Sequence, residues 1–171
     1  MDSNNILDTK RATNISGPWD EAFWIKLEDA IKSKSNYRRG SNKVQNWLPY
    51  KKFESDLSLI VSTKIPPNWE IGSREQSLKE RPIVVAVIIS QTNLDSSNIA
   101  KSILDACEGI VYLNDASVKT TITITEKPLK KNQDNKTILA FALLSPEATL
   151  EDQVKASSTL LIHSKELFIN D

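Results

Sequence analysis

The sequence predicts an α/β fold, a single domain in which helices pack on a mixed β-sheet of about four strands. Residues 83–90 and 137–144 are almost wholly apolar, which is typical of strands buried on both faces of a sheet. Between them, residues 96–110 show the three-to-four spacing of a helix with one buried face, and β-branched residues alternate from Val118 to Thr125. At 171 residues the chain fits one domain with a sizeable core.

Charge and composition limit the possible functions. The 22 basic and 22 acidic residues cancel, so any contact with nucleic acid must come from a local patch. The single cysteine, Cys107, excludes an internal disulfide framework, and with only one histidine a Cys/His zinc site is also excluded. The polar start lacks the apolar core of a signal peptide, and no apolar run is long enough to span a membrane. We expect a soluble, cytoplasmic protein.

The N-terminal region divides into two parts. Residues 1–15 are polar and are expected to be flexible, and residues 16–171 are expected to form the domain. Ser16, Gly17 and Pro18 can cap and start a helix that reaches about Lys34, with a broad apolar face. We expect this face to be mainly core, and otherwise a surface for a dimer or another partner.

A basic segment follows this predicted helix. Residues 35–46 are polar and predict a loop or hairpin tip, and two aromatic residues, Tyr37 and Trp47, lie among the basic ones. The basic segment is defined by Arg38, Arg39, Lys43, Lys51 and Lys52. Such a cluster can hold phosphates while an aromatic ring packs on a sugar or an unpaired base. A solvated loop beside a helix is the alternative.

Further helices are predicted on either side of the apolar strands. Pro49 can start one whose buried face repeats through Tyr50, Leu57 and Val61. Near the C-terminus, Thr149 and a carboxylate three residues later predict a cap for a last helix that ends at about Leu167. His163 in that helix is expected to be exposed or satisfied by neighbours rather than catalytic.

The densest group of polar residues lies around the central helix. Asp95 lies at the start of this helix, where the Ser96 or Ser97 hydroxyl can cap the free backbone N–H groups. Ser97, Lys101 and Asp105 are spaced four residues apart and share one face of the helix. A turn with Asn114 and Asp115 then leads into the strand at Val118. Packing of strand, helix and strand is expected to bring Asp95, Lys101 and Asp115 together.

At these residues the sequence resembles the RusA family of Holliday-junction resolvases. The stretches DSSNIAK, LDACEG and LND correspond to the family signature of aspartates, an asparagine and a lysine before and within a helix, followed by an aspartate pair before a strand. The matching residues are Asp95, Asn98, Lys101, Asp105 and Asp115. Ser97 stands where the family has a second metal-binding aspartate, and Asn114 replaces the first member of the later pair.

The resemblance implies a RusA-like fold and a homodimeric, magnesium-dependent endonuclease that cuts branched DNA in recombination and repair. Asp95 and Asp115 would be the Mg²⁺ ligands, Lys101 would stabilise charge on the phosphate, and Ser97 would weaken the site. Two alternatives stay open: a DNA-binding module with weakened or lost cleavage, and a subunit that joins a larger complex through its terminal helices. The same residues could instead be only a helix cap, an exposed ion pair and a turn.

Overall fold

The structure is a computed structural model that describes residues 16–28, 31, 43–128 and 136–170. Within these ranges it contains one four-stranded sheet and three α-helices, as the α/β prediction requires. In chain order the elements are β1 (Glu21–Leu27), α1 (Lys43–Lys64), β2 (Ile83–Gln91), α2 (Ser96–Cys107), β3 (Val118–Glu126), β4 (Thr137–Leu144) and α3 (Leu150–Ile169). A short 3-10 helix, Asp115–Ser117, immediately precedes β3.

The sheet is mixed, with the strand order β1-β4-β2-β3. β2 and β3 are parallel and are joined through α2, whereas β4 runs antiparallel to both β1 and β2. A parallel pair needs a long crossover, and α2 supplies it. The predicted strands at 83–90 and 137–144 are confirmed as the two central strands, and β1 and β3 form the edges.

Two apolar layers cover the sheet and explain why the central strands are apolar throughout. Val84, Ala86 and Ile88 of β2 join a core that includes residues of α1 and α2 on one face. The alternate residues Val85 and Val87 join a second core with α3 on the other face. Successive side chains of a strand point to opposite faces, so a strand covered on both sides has no polar face.

The predicted N-terminal helix is wrong, because residues 21–27 form β1. Phe23 and Leu27 belong to the core on the α1 and α2 face, and Trp24 belongs to the core beneath α3. Phe23 pairs with Phe141 in the antiparallel ladder with β4. The apolar residues fit both the helical and the strand spacing, and strand pairing prevails because it buries both faces and completes the β4 ladder.

α1 begins at Lys43 rather than at Pro49, so the predicted loop is wrong over 43–46. Pro49 lies inside the helix, where its missing N–H removes one backbone hydrogen bond without ending the helix. The face predicted for this helix is confirmed, since Tyr50, Leu57 and Val61 are buried. Packing of that face against the sheet fixes the helix beyond the proline.

The C-terminal helix is confirmed with its cap. The Thr149 side chain accepts from the backbone N–H of Asp152, while the Asp152 carboxylate accepts from the Thr149 backbone. His163 packs its ring edge-on against Trp24 and lies 3.4 Å from the Glu166 carboxylate, so it is satisfied by neighbours as expected. Of the helices in the described ranges, none is long and apolar enough to cross a membrane.

Candidate functional site

Asp95 caps the N-terminus of α2, and three donors hold its carboxylate. Its Oδ1 accepts from the Ser97 hydroxyl at 2.6 Å and from the Asn98 backbone N–H at 2.9 Å. Its Oδ2 accepts from the Asn98 side-chain amide at 2.5 Å. The hydrogen bonds from Ser97 and then from Asn98 hold the pKa of Asp95 below its usual range. The cap is therefore Asp95 itself, and not a serine hydroxyl as the sequence suggested.

These hydrogen bonds bear on the role of Ser97. The resemblance places Ser97 at a metal-binding aspartate position, but its hydroxyl here is a donor to Asp95. A carboxylate offers about four acceptor sites, so Asp95 keeps capacity for a cation, chiefly on Oδ2, which accepts one bond in the structure. A second carboxylate at position 97 would be an acceptor and would add a negative charge beside Asp95.

The polar side of α2 carries the remaining helix residues of the predicted site. Lys101 is exposed one turn beyond Ser97, and Asp105 is partly buried one turn further on. Ile99 and Ile103 lie on the other side of the helix and are fully buried in the core. The apolar side fixes the rotation of α2, so that Lys101 is exposed at the middle of the helix.

Asp115 is positioned by the turn that follows α2. Gly109 has a φ of 78°, which favours glycine, and the Trp69 side chain donates to the Val111 carbonyl at 2.8 Å. The Tyr112 hydroxyl donates to the Leu104 carbonyl. Asp115 then opens the short helix before β3 and is exposed. Sequence reasoning missed the role of Trp69, whose only signal was an aromatic residue in a proline-rich loop.

The structure separates Asp95 from Asp115. In the parallel β2–β3 ladder, Val84 is level with Val118 and Gln91 is level with Glu126. Asp95 follows the end of β2, whereas Asp115 precedes the start of β3, so the two lie at opposite ends of these parallel strands. The register from Val84 to Gln91 corresponds to about 23 Å along the strands at about 3.3 Å per residue.

The length of α2 gives a similar separation. Asp95 is at its N-terminus and Asp115 lies beyond its C-terminus, and 12 residues of helix span about 18 Å. Burial raises the pKa of Tyr112, and nearby acidic side chains, among them Asp115, raise it further, which places Asp115 near the far end of α2. The expectation that Asp95, Lys101 and Asp115 meet within one chain is therefore wrong. The physical reason is that, in a parallel strand-helix-strand unit, the loop after the first strand and the loop before the second strand lie at opposite ends of the strands.

The two predicted Mg²⁺ ligands do not lie together in the described part of one chain. In the ranges that the structure describes, no group of three or more His, Cys, Asp or Glu residues is arranged to hold a metal ion. The carboxylates of Asp95 and Asp115 are the hard oxygen ligands that Mg²⁺ prefers. Both are suitable ligands for Mg²⁺, but they are too far apart in one chain to coordinate the same ion.

The basic segment is described only in part. Arg38 and Arg39 lie outside the described residues, and of Lys43 the structure describes only its place at the start of α1. Lys51 lies 2.5 Å from the Glu54 carboxylate, and Lys52 lies 4.0 Å from that of Asp56. Both lysines are on the surface of α1, with acidic neighbours that offset part of their charge.

Comparison with known families identifies the class of protein to which this α/β domain belongs. The sequence model of endodeoxyribonuclease RusA matches residues 30–139, which is more than half of the chain. The chain therefore belongs to the RusA endodeoxyribonuclease family, as the resemblance at Asp95 to Asp115 indicated. The match contains α1, β2, α2 and β3, whereas β1 and α3 lie outside it. The comparison with curated proteins gave no match.

Proposed function

We propose that this protein is a magnesium-dependent endonuclease that cuts branched DNA, such as Holliday junctions, in recombination and repair. The observation that carries the proposal is the RusA family match across the whole β2–α2–β3 unit. That unit contains Asp95, Asn98 and Lys101, and Asp115 lies just before β3; the resemblance places all four at functional positions. DNA with several arms is a substrate that a symmetric dimer can hold with equivalent surfaces.

The separation of the carboxylates supports a site that two copies of the chain form together. A site that uses both takes Asp95 from one chain and Asp115 from a second copy, because one chain holds them at opposite ends of the β2–β3 pair. A two-fold dimer forms two equivalent sites of this kind. The proposed two-chain site would require the homodimer that the resemblance implies.

Each residue of the proposed site has a distinct task. Asp95 and the partner's Asp115 would hold Mg²⁺, which supplies neutralisation of phosphate charge and a lowered pKa for coordinated water. Asn98 orients the Asp95 carboxylate through the bond to Oδ2. Lys101, which is exposed at the middle of α2, would stabilise the charge that develops on the scissile phosphate. The basic segment would hold the DNA arms through their phosphates.

One contact favours a second candidate, a junction-binding protein with weakened cleavage. The Ser97 hydroxyl donates a hydrogen bond to Oδ1 of Asp95 at 2.6 Å. It supplies no negative charge at the position where the family resemblance expects an aspartate. A site with fewer carboxylates binds Mg²⁺ less tightly, so cleavage would be lost before DNA binding.

A titration of Mg²⁺ against a labelled four-way junction separates the two candidates. Binding is scored by gel shift in Ca²⁺ or without metal, and cutting is scored on denaturing gels, with a linear duplex of the same sequence as the control substrate. The proposed nuclease binds the junction in preference to the duplex and cuts it only with Mg²⁺, and Asp95→Asn abolishes cutting. Binding without cutting at any Mg²⁺ concentration supports the second candidate, and no preference for the junction contradicts both.

A further inference from the structure

The end of β3 lies beside the loop that carries Asp95. Gln91 is level with Glu126 in the parallel ladder, and the Thr92 backbone N–H donates to the Glu126 carbonyl at 2.8 Å. Lys127 is the next residue and so lies beside Thr92, one strand spacing or about 5 Å away. Asp95 follows three residues after Thr92, at most about 11 Å along the chain. Lys127 is therefore at the same end of the strands as Asp95.

Lys127 also belongs to the side of the sheet on which α2 lies. Side chains alternate along a strand. Ile122 packs against the core beneath α3, so the odd-numbered residues of β3 face the other side. That is the α2 side, because Thr123 is level with Ile88, which is buried in the core that includes residues of α2. The same alternation, continued past the strand end, assigns Lys127 to the α2 side and Glu126 to the α3 side.

Neighbouring strands hold the backbone at this end of the sheet. The Ser90 and Thr137 hydroxyls lie 2.7 Å apart, and both residues are buried. The Gln91 backbone N–H donates to the Lys136 carbonyl at 2.8 Å. These bonds tie the end of β2 to the start of β4. The loop with Asp95 therefore starts from a fixed point beside the end of β3.

The charge of Lys127 is not neutralised by a neighbour in the described part of the chain. Lys127 is exposed, and no ion pair joins it to a carboxylate among the described residues. In contrast, Lys136 donates to the Phe168 carbonyl at 2.6 Å, and Lys51 and Lys52 have acidic neighbours on α1. The ammonium group of Lys127 can therefore accept an anion without first breaking an ion pair with these residues.

We propose that Lys127 binds the backbone phosphate next to the scissile phosphate. The inference rests on the proposed function, because it takes the scissile phosphate to lie at Asp95. A lysine carries a compact charge on a flexible four-carbon stem, and it holds a phosphate as a point charge. Lys127 shares the strand end and the sheet side of Asp95 but makes no contact with its carboxylate, whose donors are Ser97 and Asn98. Lys101 then acts on the scissile phosphate, and Lys127 positions the strand.

The salt dependence of junction binding tests this contact. Lys165→Gln is the matched control, since Lys165 is exposed on α3 and its loss removes the same charge from the opposite side of the sheet. Binding of a labelled four-way junction in Ca²⁺ is measured by fluorescence anisotropy at several salt concentrations. Lys127→Gln should make the slope of log binding constant against log salt concentration shallower by about 0.9, so its affinity gap to the parent widens about eightfold for a tenfold dilution of the salt.

The control variants should behave like the parent. Lys127→Arg keeps the charge and should keep the slope, and so should Lys165→Gln. All three variants should melt at the parent's temperature, because both lysines are exposed. An unchanged slope in Lys127→Gln, or an equal change in Lys165→Gln, overturns the proposal.

Neutral methylphosphonate linkages locate the phosphate that Lys127 contacts. Each linkage removes the charge of one phosphate near the crossover of the junction. At one position the linkage should weaken binding by the parent and by Lys165→Gln but not by Lys127→Gln, because the linkage and the Lys127 substitution remove the same contact. Equal losses for the parent and Lys127→Gln at every position contradict the contact.

Single-turnover cutting separates the role of Lys127 from that of Lys101. A phosphate contact that is equally strong before and during the reaction affects binding alone. Lys127→Gln should therefore need more protein for half-maximal cutting but should reach the parent's rate at saturation, whereas Lys101→Gln should lower the saturating rate. A saturating rate of Lys127→Gln as low as that of Lys101→Gln overturns the binding role.

These measurements separate failure of the contact from failure of the proposed function. If Lys127→Gln has the shallower slope and the parent never cuts a junction, the phosphate contact stands and the nuclease is rejected. If the parent cuts and Lys127→Gln matches it in slope and in cutting, the nuclease stands and the contact is rejected. A parent that does not bind the junction rejects both.

Discussion

One buried hydrogen bond holds the turn that leads to Asp115, and a pair of tryptophan substitutions measures its contribution to the free energy of unfolding. Trp69 and Trp24 are 8% and 9% exposed, so both are buried to the same degree. The Trp69 side-chain N–H donates to the Val111 carbonyl at 2.8 Å, whereas that of Trp24 has no hydrogen-bond partner among the described residues. Changing either to phenylalanine removes the same atoms, and only Trp69→Phe breaks a hydrogen bond.

The expected difference follows from the buried carbonyl that loses its donor. An unsatisfied buried acceptor costs about 1–3 kcal/mol. For a chain of this length, about 2 kcal/mol lowers the melting temperature by about 4–8 °C. Trp69→Phe should therefore melt lower than Trp24→Phe by this amount, measured by circular dichroism and by urea unfolding.

The two variants should also differ in function. A loosened Val111 carbonyl frees the turn before Asp115, so Trp69→Phe should need more Mg²⁺ for half-maximal junction cutting, and Trp24→Phe should match the parent. Equal melting temperatures for the two variants would show that the Trp69 bond contributes nothing to the turn, and the reasoning about Asp115 would fail with it.

Three further outcomes are expected. Ser97→Asp should bind Mg²⁺ more tightly in isothermal calorimetry than Ser97→Asn, because it adds a carboxylate beside Asp95 and removes the donor to Oδ1; equal affinities would mean that the local geometry cannot hold the ion. Replacing Arg38, Arg39 and Lys43 of the basic segment by alanine should weaken junction binding, with little change in melting temperature. The slope of log binding constant against log salt concentration should become shallower by about 0.9 for each phosphate that the protein no longer neutralises. An unchanged slope would place the DNA elsewhere. The hydrogen bond from Thr149 holds the pKa of Asp152 below its ordinary value of 3.8, so the stability from this cap is present above that value and is lost as the pH falls below it. The melting temperature of Asp152→Asn should therefore fall less on acidification than that of the parent. Parallel plots of melting temperature against pH would show that the cap does not contribute.

The sequence predicted those parts of the fold that depend on burial alone. Apolar segments of eight residues at 83–90 and 137–144 are typical of central strands, and the faces of α1 and α2 follow from their spacing. β1 was assigned wrongly because Phe23, Trp24 and Leu27 suit either period. Only pairing with β4, which is a tertiary contact, decides between helix and strand.

The local structure around Asp95 could be predicted from the sequence, whereas the distance between the proposed site residues could not. Asp95, Ser97 and Asn98 are local, and their hydrogen bonds follow from a helix start. The position of Asp115 depends on the direction of β3 relative to β2, which no local pattern encodes. The order of the elements, strand, helix and strand, favours a parallel pair, and a parallel pair places Asp95 and Asp115 at opposite ends of the strands.

Mixing two inactive variants tests the two-chain site most directly. Asp95→Asn and Asp115→Asn should each fail to nick a four-way junction while keeping the parent's mass and circular dichroism. After subunit exchange, a heterodimer contains one site with both aspartates replaced and one with both intact, so the mixture should recover about a quarter of the parent's activity if pairing is random. If the mixture stays inactive although both variants are folded, dimeric and exchanged, the two carboxylates do not act across the dimer, and the two-chain site is contradicted.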